Sequence, residues 1–384
     1  MFFTLVRTGA ARARAALGAG SGTACREGCR IGCGHGRCRA HDGRRDSRAV
    51  IHRRSALQRI AMAAAAAIAC TALTIPSKAS AQAKPELASV TLGLPVTTST
   101  LLPLYLADEE GYFRKEGIDV KLVAFRGGSS MVMAVVSGSV QMGVGALSSV
   151  TVGIDAGQDL QVFYGGFNMA IFDWYAVPRI KTFKDARGTR IGVSAYGSST
   201  DFLTRYALKL NGIDSRTGAR IIQGGASAGR IAAMDSGQLD VNIFAPPETD
   251  VAQDRGYHVV LHQTDIAPDY PFHVFFASRS FLQKNPNTVR AVLRGFVLGM
   301  RLAKSDKARS IKTLISRVGI DPKYAARTYD EILKGMYEDG RLPTEAGMNA
   351  FFDSGIEAGV FKERWPTARY WNGQFQQTYG QWKP

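Results

Sequence analysis

Three sets of residues have types and spacings that could do chemistry. Gly225-Ala226-Ser227-Ala228-Gly229 has the Gly-x-Ser-x-Gly form of a nucleophile elbow between a strand-like and a helix-like run, with His258, His262 and His273 downstream as candidate bases. Cys25, Cys29, Cys33 and Cys38, with His35 and His41 nearby, are spaced like the ligands of a metal cluster. Four loops combine small residues, which let backbone N–H groups approach a ligand, with hydroxyls that can donate. They are Thr97-Thr98-Ser99, Arg126-Gly127-Gly128-Ser129-Ser130, Tyr196-Gly197-Ser198-Ser199-Thr200 and Gly224-Gly225-Ala226-Ser227.

The first two sets weigh less than the third. Small residues abound around Ser227, the same segment reads as a binding loop, and no hydrolase-like strand order accompanies it. His258 and His262 lack the intervening Glu of a zinc peptidase and fall on or beside a strand-like run. The cysteine stretch has no apolar periodicity and a monotonous Arg, Gly and Ala composition, so it cannot bury a core that would orient ligands. Residues 1–50 read as a disordered extension or the product of a start codon placed too far upstream. No catalytic residue, metal site or cofactor is expected. For any one of the four loops, N-capping by Ser or Thr explains the hydroxyls as well as ligand binding does; convergence of all four on one cleft favours binding.

Such loops need strands and helices to present them. Short β-rich runs (89–94, 118–125, 140–145, 160–164, 190–194, 220–222, 241–244 and 257–261) alternate with amphipathic stretches such as Leu102 to Lys115, Ser129 to Ser137 and Thr200 to Leu210. That alternation predicts an α/β architecture with largely parallel sheets. From Pro286 the pattern turns helical, with Val289, Val292, Leu293, Phe296, Val297 and Met300 at the spacing of a buried face. Arg290, Arg294, Arg301, Lys304, Lys307, Arg309 and Lys312 lack aromatic interleaving and are expected on a solvated face, not a nucleic-acid surface.

Charge divides the 384-residue chain. Of its net +16, residues 1–83 carry 14 basic minus 3 acidic groups, or +11, leaving 34 minus 29, or +5, for the rest. All five cysteines lie in the same leader, so thiol catalysis and disulfides are excluded after Cys70. Residues 51–83 read as a signal peptide: Arg53, Arg54 and Arg59 precede a 16-residue apolar run, Ile60 to Ile75, and Ala79-Ser80-Ala81-Gln82-Ala83 offers cleavage after Ala81 or Ala83. The run is short of the roughly 20 residues that span a bilayer. Export by the general or twin-arginine route, cleavage and a periplasmic location are the expectation; lipidation at Cys70 is the less favoured alternative.

Leu104-Tyr105-Leu106-Ala107-Asp108-Glu109-Glu110-Gly111-Tyr112-Phe113-Arg114-Lys115-Glu116-Gly117-Ile118-Asp119-Val120 resembles the signature of the SsuA/THI5-like (NMT1-like) substrate-binding proteins of ABC transporters. Further stretches resemble that family in order: Ser137 to Gly143, with Gln141 where the family usually has Asp, then Ala156 to Leu160, Asp185 to Val193, and Asp235 to Asp240. The resemblance implies a type II periplasmic-binding-protein fold, two α/β lobes closing by hinge motion on a solute. It places the crossovers near Pro178 to Lys181 and Ile266 to Phe272. Lobe I is then 84–177 plus 273–384 with the C-terminal helices, and lobe II is 178–272. The implied partners are a small-molecule ligand and the permease and ATPase subunits of an importer of the sulfonate, nitrate or taurine type, with no nucleic acid and no membrane span in the mature chain. The implied role is capture without turnover. Alternatives are a binding protein that presents its ligand to a sensor, or an enzyme on the same fold, of hydrolase type or like the THI5-type pyrimidine synthases, whose Cys-rich motif is missing after Cys70.

The expected ligand residues are Thr97, Thr98, Ser99, Arg126, Gly128, Ser129, Ser130, Asn168, Tyr196, Ser198, Ser199, Thr200, Gly225, Ser227 and Glu248, with Phe167, Trp174 and Phe244 as further candidate walls. Helix N-termini and Arg126 favour a small organic anion, a sulfonate or aromatic carboxylate; Glu248 after Pro246-Pro247 argues for an amine or ring nitrogen.

Overall fold

A computed structural model describes residues 83–384. The extension, the basic segment and apolar run of the leader, the cysteine spacing with Cys70, and cleavage after Ala81 lie outside the described residues.

Two five-stranded mixed sheets form the frame. The first contains β1 (Ser89–Leu94), β2 (Asp119–Ala124), β3 (Met142–Ala146), β4 (Gln161–Tyr164) and β10 (His273–Ala277), in the order β2-β1-β3-β10-β4. The second contains β5 (Asp173–Ala176), β6 (Arg190–Val193), β7 (Arg220–Gln223), β8 (Val241–Phe244) and β9 (His258–His262), in the order β7-β6-β8-β5-β9. Each sheet holds three parallel neighbours and one inserted antiparallel strand, β10 between β3 and β4 and β5 between β8 and β9. The two inserted strands have no counterpart among the expected runs. All five residues of β10, His-Val-Phe-Phe-Ala, are buried, as expected of a strand inserted between two neighbours with both faces covered.

The same device appears at the start of both sheets. The Gln141 side chain accepts the β1 amide of Thr91 at 2.8 Å, and the Asp240 carboxylate accepts the β6 amide of Arg190 at 2.9 Å. Gln141 therefore serves the backbone role of its acidic counterpart in the second lobe.

The sheet boundary corrects the expected one. Because β5 is hydrogen-bonded between β8 and β9, the chain first changes lobes within residues 165–172, not near Pro178 to Lys181. It returns between His262 and His273. The C-terminal part is not all lobe I either. Helix α11, named after the helices introduced below, spans Glu345–Glu357 and packs on the lobe II helix α4 (Ser199–Leu210). There Phe202 meets Phe351 and Phe361 at ring separations of 6.0 and 5.8 Å, and Lys209 pairs with Glu357 at 2.9 Å. The chain then rejoins lobe I, where Val162 of β4 donates to the Tyr370 carbonyl.

Helix α1 (Leu102–Glu109) stops sooner than its apolar pattern predicts, because Gly111 adopts a left-handed φ of 66° and a separate turn, Tyr112–Lys115, follows. Lobe I continues with α2 (Gly128–Val136) and α3 (Leu147–Asp155); lobe II adds α5 (Ser227–Asp235) and α6 (Glu248–Asp254) to α4. After β10 come α7 (Arg279–Lys284), α8 (Pro286–Ser305), α9 (Lys307–Thr313) and α10 (Pro322–Ile332). The six apolar residues singled out in α8 are all buried, and α8 crosses α1 so closely that a Cβ on Gly299 would lie 2.0 Å from the Pro103 carbonyl oxygen. Its basic residues are not simply solvated. Arg294 is 4% exposed and paired with Glu116, Arg301 pairs with Glu338, and Arg309 bridges Glu109 and Glu110. Among the described residues, no helix is long and apolar enough to cross a membrane.

Candidate functional site

In both sheets the carboxyl ends of the parallel strands lead into helices, and these ends face each other across the lobes. Two buried contacts join them. Ser99, after β1, donates its hydroxyl to the Pro246 carbonyl after β8 at 3.3 Å. Ser148 in the first turn of α3 and Ser199 in the first turn of α4 share a hydrogen bond of 3.2 Å.

Beside the first contact lies a cavity of about 520 Å³, lined by Thr97, Thr98 and Ser99 of lobe I and Pro246, Pro247 and Glu248 of lobe II. Residues 318–321 and the first turn of α10 close a third side. Here α10 docks on α6: Arg327 pairs with Asp250, and Lys323 Nζ and Tyr324 Oη both donate to Asp254, the former at 3.0 Å. The start of α10 is legible in Asp321-Pro322, a cap followed by proline at the first helical position. That signal marks a helix start and carries no information about the cleft, so these residues were not anticipated.

Most charges on the cavity wall are committed. Arg255 pairs with Asp235 at 2.7 Å, Lys323 and Asp254 with each other, and Asp321 accepts the Lys323 amide of its own helix at 3.0 Å. Glu248 is half-buried, and among the described residues its carboxylate has no ion-pair or side-chain hydrogen-bond partner. Burial raises its pKa, against the opposing pull of its own backbone amide and of Arg230.

Arg230, on α5, is a second residue that sequence reasoning missed. It is 4% exposed, yet among the described residues no carboxylate pairs with it; its guanidinium donates to Asn242 Oδ1, the Ile243 and Gly225 carbonyls and Ser227 Oγ, above the Phe244 ring. Desolvation pushes its pKa down to about 10. Gly225 and Ser227 thus hold an arginine. The imidazoles expected as bases are engaged elsewhere: His258 with the Ile180 carbonyl, His262 with Asp173, and His273 buried beside Thr100 and stacked on Phe272.

The remaining expected residues are dispersed. Ser198 caps α4, accepting from the Asp201 amide and donating to the Ala195 carbonyl, and its hydroxyl joins those of Ser194 and Thr200. Arg126 is exposed, with no side-chain partner among the described residues, and neither it nor Gly128, Ser129 or Ser130 lines the 520 Å³ cavity. Gly128 instead abuts Ser149, and Ser130 bonds the Gly127 carbonyl. Tyr196 turns away along β7, its hydroxyl donating to the Ile221 carbonyl, and lines a separate lobe II cavity of about 420 Å³. Asn168 is held in the first crossover by Gly335 and Arg341, on a third cavity of about 400 Å³. Phe167, Trp174 and Phe244 are fully buried in the core.

Against known proteins, residues 98–308, more than half of the chain, match the family model described as NMT1/THI5 like. YtlA of Bacillus subtilis is 24% identical over 227 residues, which cover 56% of this chain and 65% of YtlA, so the match spans less than two thirds of that relative. The nitrate-binding protein NrtA from Synechocystis superposes with a TM-score of 0.66 at 15% identity, covering 78% of this chain and 90% of its own. The alkanesulfonate-binding protein SsuA from Xanthomonas axonopodis, bound to MOPS, gives 0.62 at 21% identity, covering 76% and 99%. These likenesses show the fold, that of periplasmic binding proteins.

Proposed function

Since the chain belongs to the NMT1/THI5-like family, we propose that it is an extracytoplasmic solute receptor that delivers its ligand to the permease and ATPase subunits of an ABC importer. One observation carries this reading. The 520 Å³ cavity draws its walls from both lobes, from Thr97, Thr98 and Ser99 on one side and Pro246, Pro247 and Glu248 on the other. A solute held there touches both halves of the molecule, and its binding free energy favours the closed arrangement. Export through the leader and a periplasmic location belong to the same proposal. Presentation of the ligand to a sensor uses the same cavity, and neighbouring permease and ATPase genes separate the two roles.

An enzyme is the less favoured reading. Ser227 is bonded to Arg230 rather than to an imidazole, and a nucleophilic serine needs an adjacent base. The expected preference for a sulfonate or aromatic carboxylate leaned on Arg126, which stands outside this cavity.

The test is a thermal-shift screen of the purified protein against sulfonates, nitrate, aromatic acids, amines and amidines. A selective solute at a hundredfold excess over its Kd stabilises the native state by about 2.7 kcal/mol. Absence of any stabilising solute contradicts the receptor reading.

A further inference from the structure

Resting on the receptor reading, we propose that the solute is a nitrogen cation, an amine or amidine whose N–H groups are received by Glu248. The argument is a census of charge on the cavity wall. Arg255 and Asp254 have partners of opposite sign, Lys323 is spent on Asp254, and Asp321 is spent on its own helix. Glu248 remains, a half-buried carboxylate at the start of α6 that lines the cavity and, among the described residues, has no ion pair and no hydrogen bond to any residue but its own backbone amide.

A carboxylate taken partly out of water with only its own backbone amide to receive is costly. Arg230 is the cation whose charge offsets part of that cost. However, its guanidinium is fixed by Asn242, Ile243, Gly225 and Ser227 and makes no ion pair with Glu248. Glu248 lines the cavity, and its carboxylate keeps acceptor capacity for a ligand. The hydroxyls of Thr97, Thr98 and Ser99 on the same wall can accept or donate, so they accommodate a cation without selecting it. The two cationic side chains on that wall, Arg255 and Lys323, each already face a carboxylate, whereas Glu248 faces no cation there, and this balance separates the cavity from the anions named for NrtA and SsuA.

The experiment titrates purified wild-type protein and Glu248→Gln with solutes of matched size and opposite charge: benzamidine and agmatine against benzoate, propanesulfonate and nitrate. Thermal shift and calorimetry are both read. The amide keeps the shape of Glu248 and removes its charge, so the empty variant melts no lower than wild type, whereas a residue with a merely structural role would lose stability. We expect at least one cation to bind, and Glu248→Gln to weaken it roughly tenfold to a hundredfold, the usual worth of a charge-assisted hydrogen bond. Glu248→Lys shifts the preference towards the carboxylate and sulfonate. Anion binding to wild type without cation binding, or cation binding untouched in Glu248→Gln, overturns this inference and leaves the receptor standing. Stabilisation by no solute of either charge counts against both.

Discussion

Ser99 and Pro246 lie 147 residues apart, in connections that follow strands of different sheets, and are joined by a buried hydrogen bond of 3.3 Å from hydroxyl to carbonyl. The loop that opens the cavity in lobe I is thereby tied to the loop that carries Glu248 in lobe II. Closure and the shape of the cavity depend on one another at this point.

Ser99→Ala removes the donor and leaves the Pro246 carbonyl without this partner. The expected cost is about 1 kcal/mol, felt mainly in the closed, liganded form. Calorimetry should show a solute affinity lowered roughly fivefold with little change in the melting temperature of the empty protein. Equal affinity in the variant would show that the contact does not contribute to capture.

The α10 to α6 contacts act across the same edge. Replacing Arg327 and Lys323 by Ala removes the ion-pair partners of Asp250 and Asp254, leaving Asp254 only the Tyr324 hydroxyl, and Asp250 is 4% exposed with one carboxylate oxygen unpartnered. The double variant should favour separated lobes. Everything after Cys70 is free of cysteine, so cysteines introduced one per lobe, with the leader cysteines replaced, allow the separation to be read by energy transfer. A distribution identical to wild type would assign these pairs no part in closure.

His273 gives the fold a defined pH response. It is 4% exposed, and burial lowers its pKa from 6.5 to about 3. Between those values the unfolded chain binds a proton that the native state does not, so stability falls as pH drops through this window. From pH 6.5 to pH 5 the loss is about 2 kcal/mol. Urea unfolding should show that loss in wild type and its absence in His273→Gln, whatever the absolute stability of the variant. Parallel pH profiles for the two proteins would refute a buried neutral imidazole.

Gly299→Ala places a methyl against the Pro103 carbonyl, a contact that requires α8 and α1 to separate. Overpacking of this kind costs about 1 to 3 kcal/mol. Chemical denaturation should register it as a lowered midpoint with an unchanged dependence on denaturant. A variant as stable as wild type would mean that the helices are not so closely packed.

Strands that run from an exposed to a buried face were legible in the sequence, as was the buried stripe of α8, because both write their period into the residue order. β5 and β10 were not, although β8, whose four residues are all buried, was found as a short apolar run. Their antiparallel insertion also decides where the chain changes lobes, and it depends on pairing between residues far apart, such as Phe275 with Val144. Of the residues that line the cavity, Thr97, Thr98 and Ser99 were singled out by loop chemistry and Glu248 by its place after Pro246-Pro247. Arg230 and Lys323 were not, because an arginine or lysine on a helix looks the same in sequence whether it is solvated or held by distant groups. Tyr196 shows the converse: its loop suits a cleft, but its ring lies along β7, a direction set by a bond to the Ile221 carbonyl.

The central claim is capture of an unaltered solute between two lobes. Its most direct measurement is equilibrium binding of the solute chosen by the screen, followed by recovery of that solute after denaturation and its chemical identification. The account predicts one solute per chain, recovered unchanged, with affinity lowered in both Ser99→Ala and Glu248→Gln. Recovery of a converted product in excess of the protein, or binding indifferent to both substitutions, would contradict it.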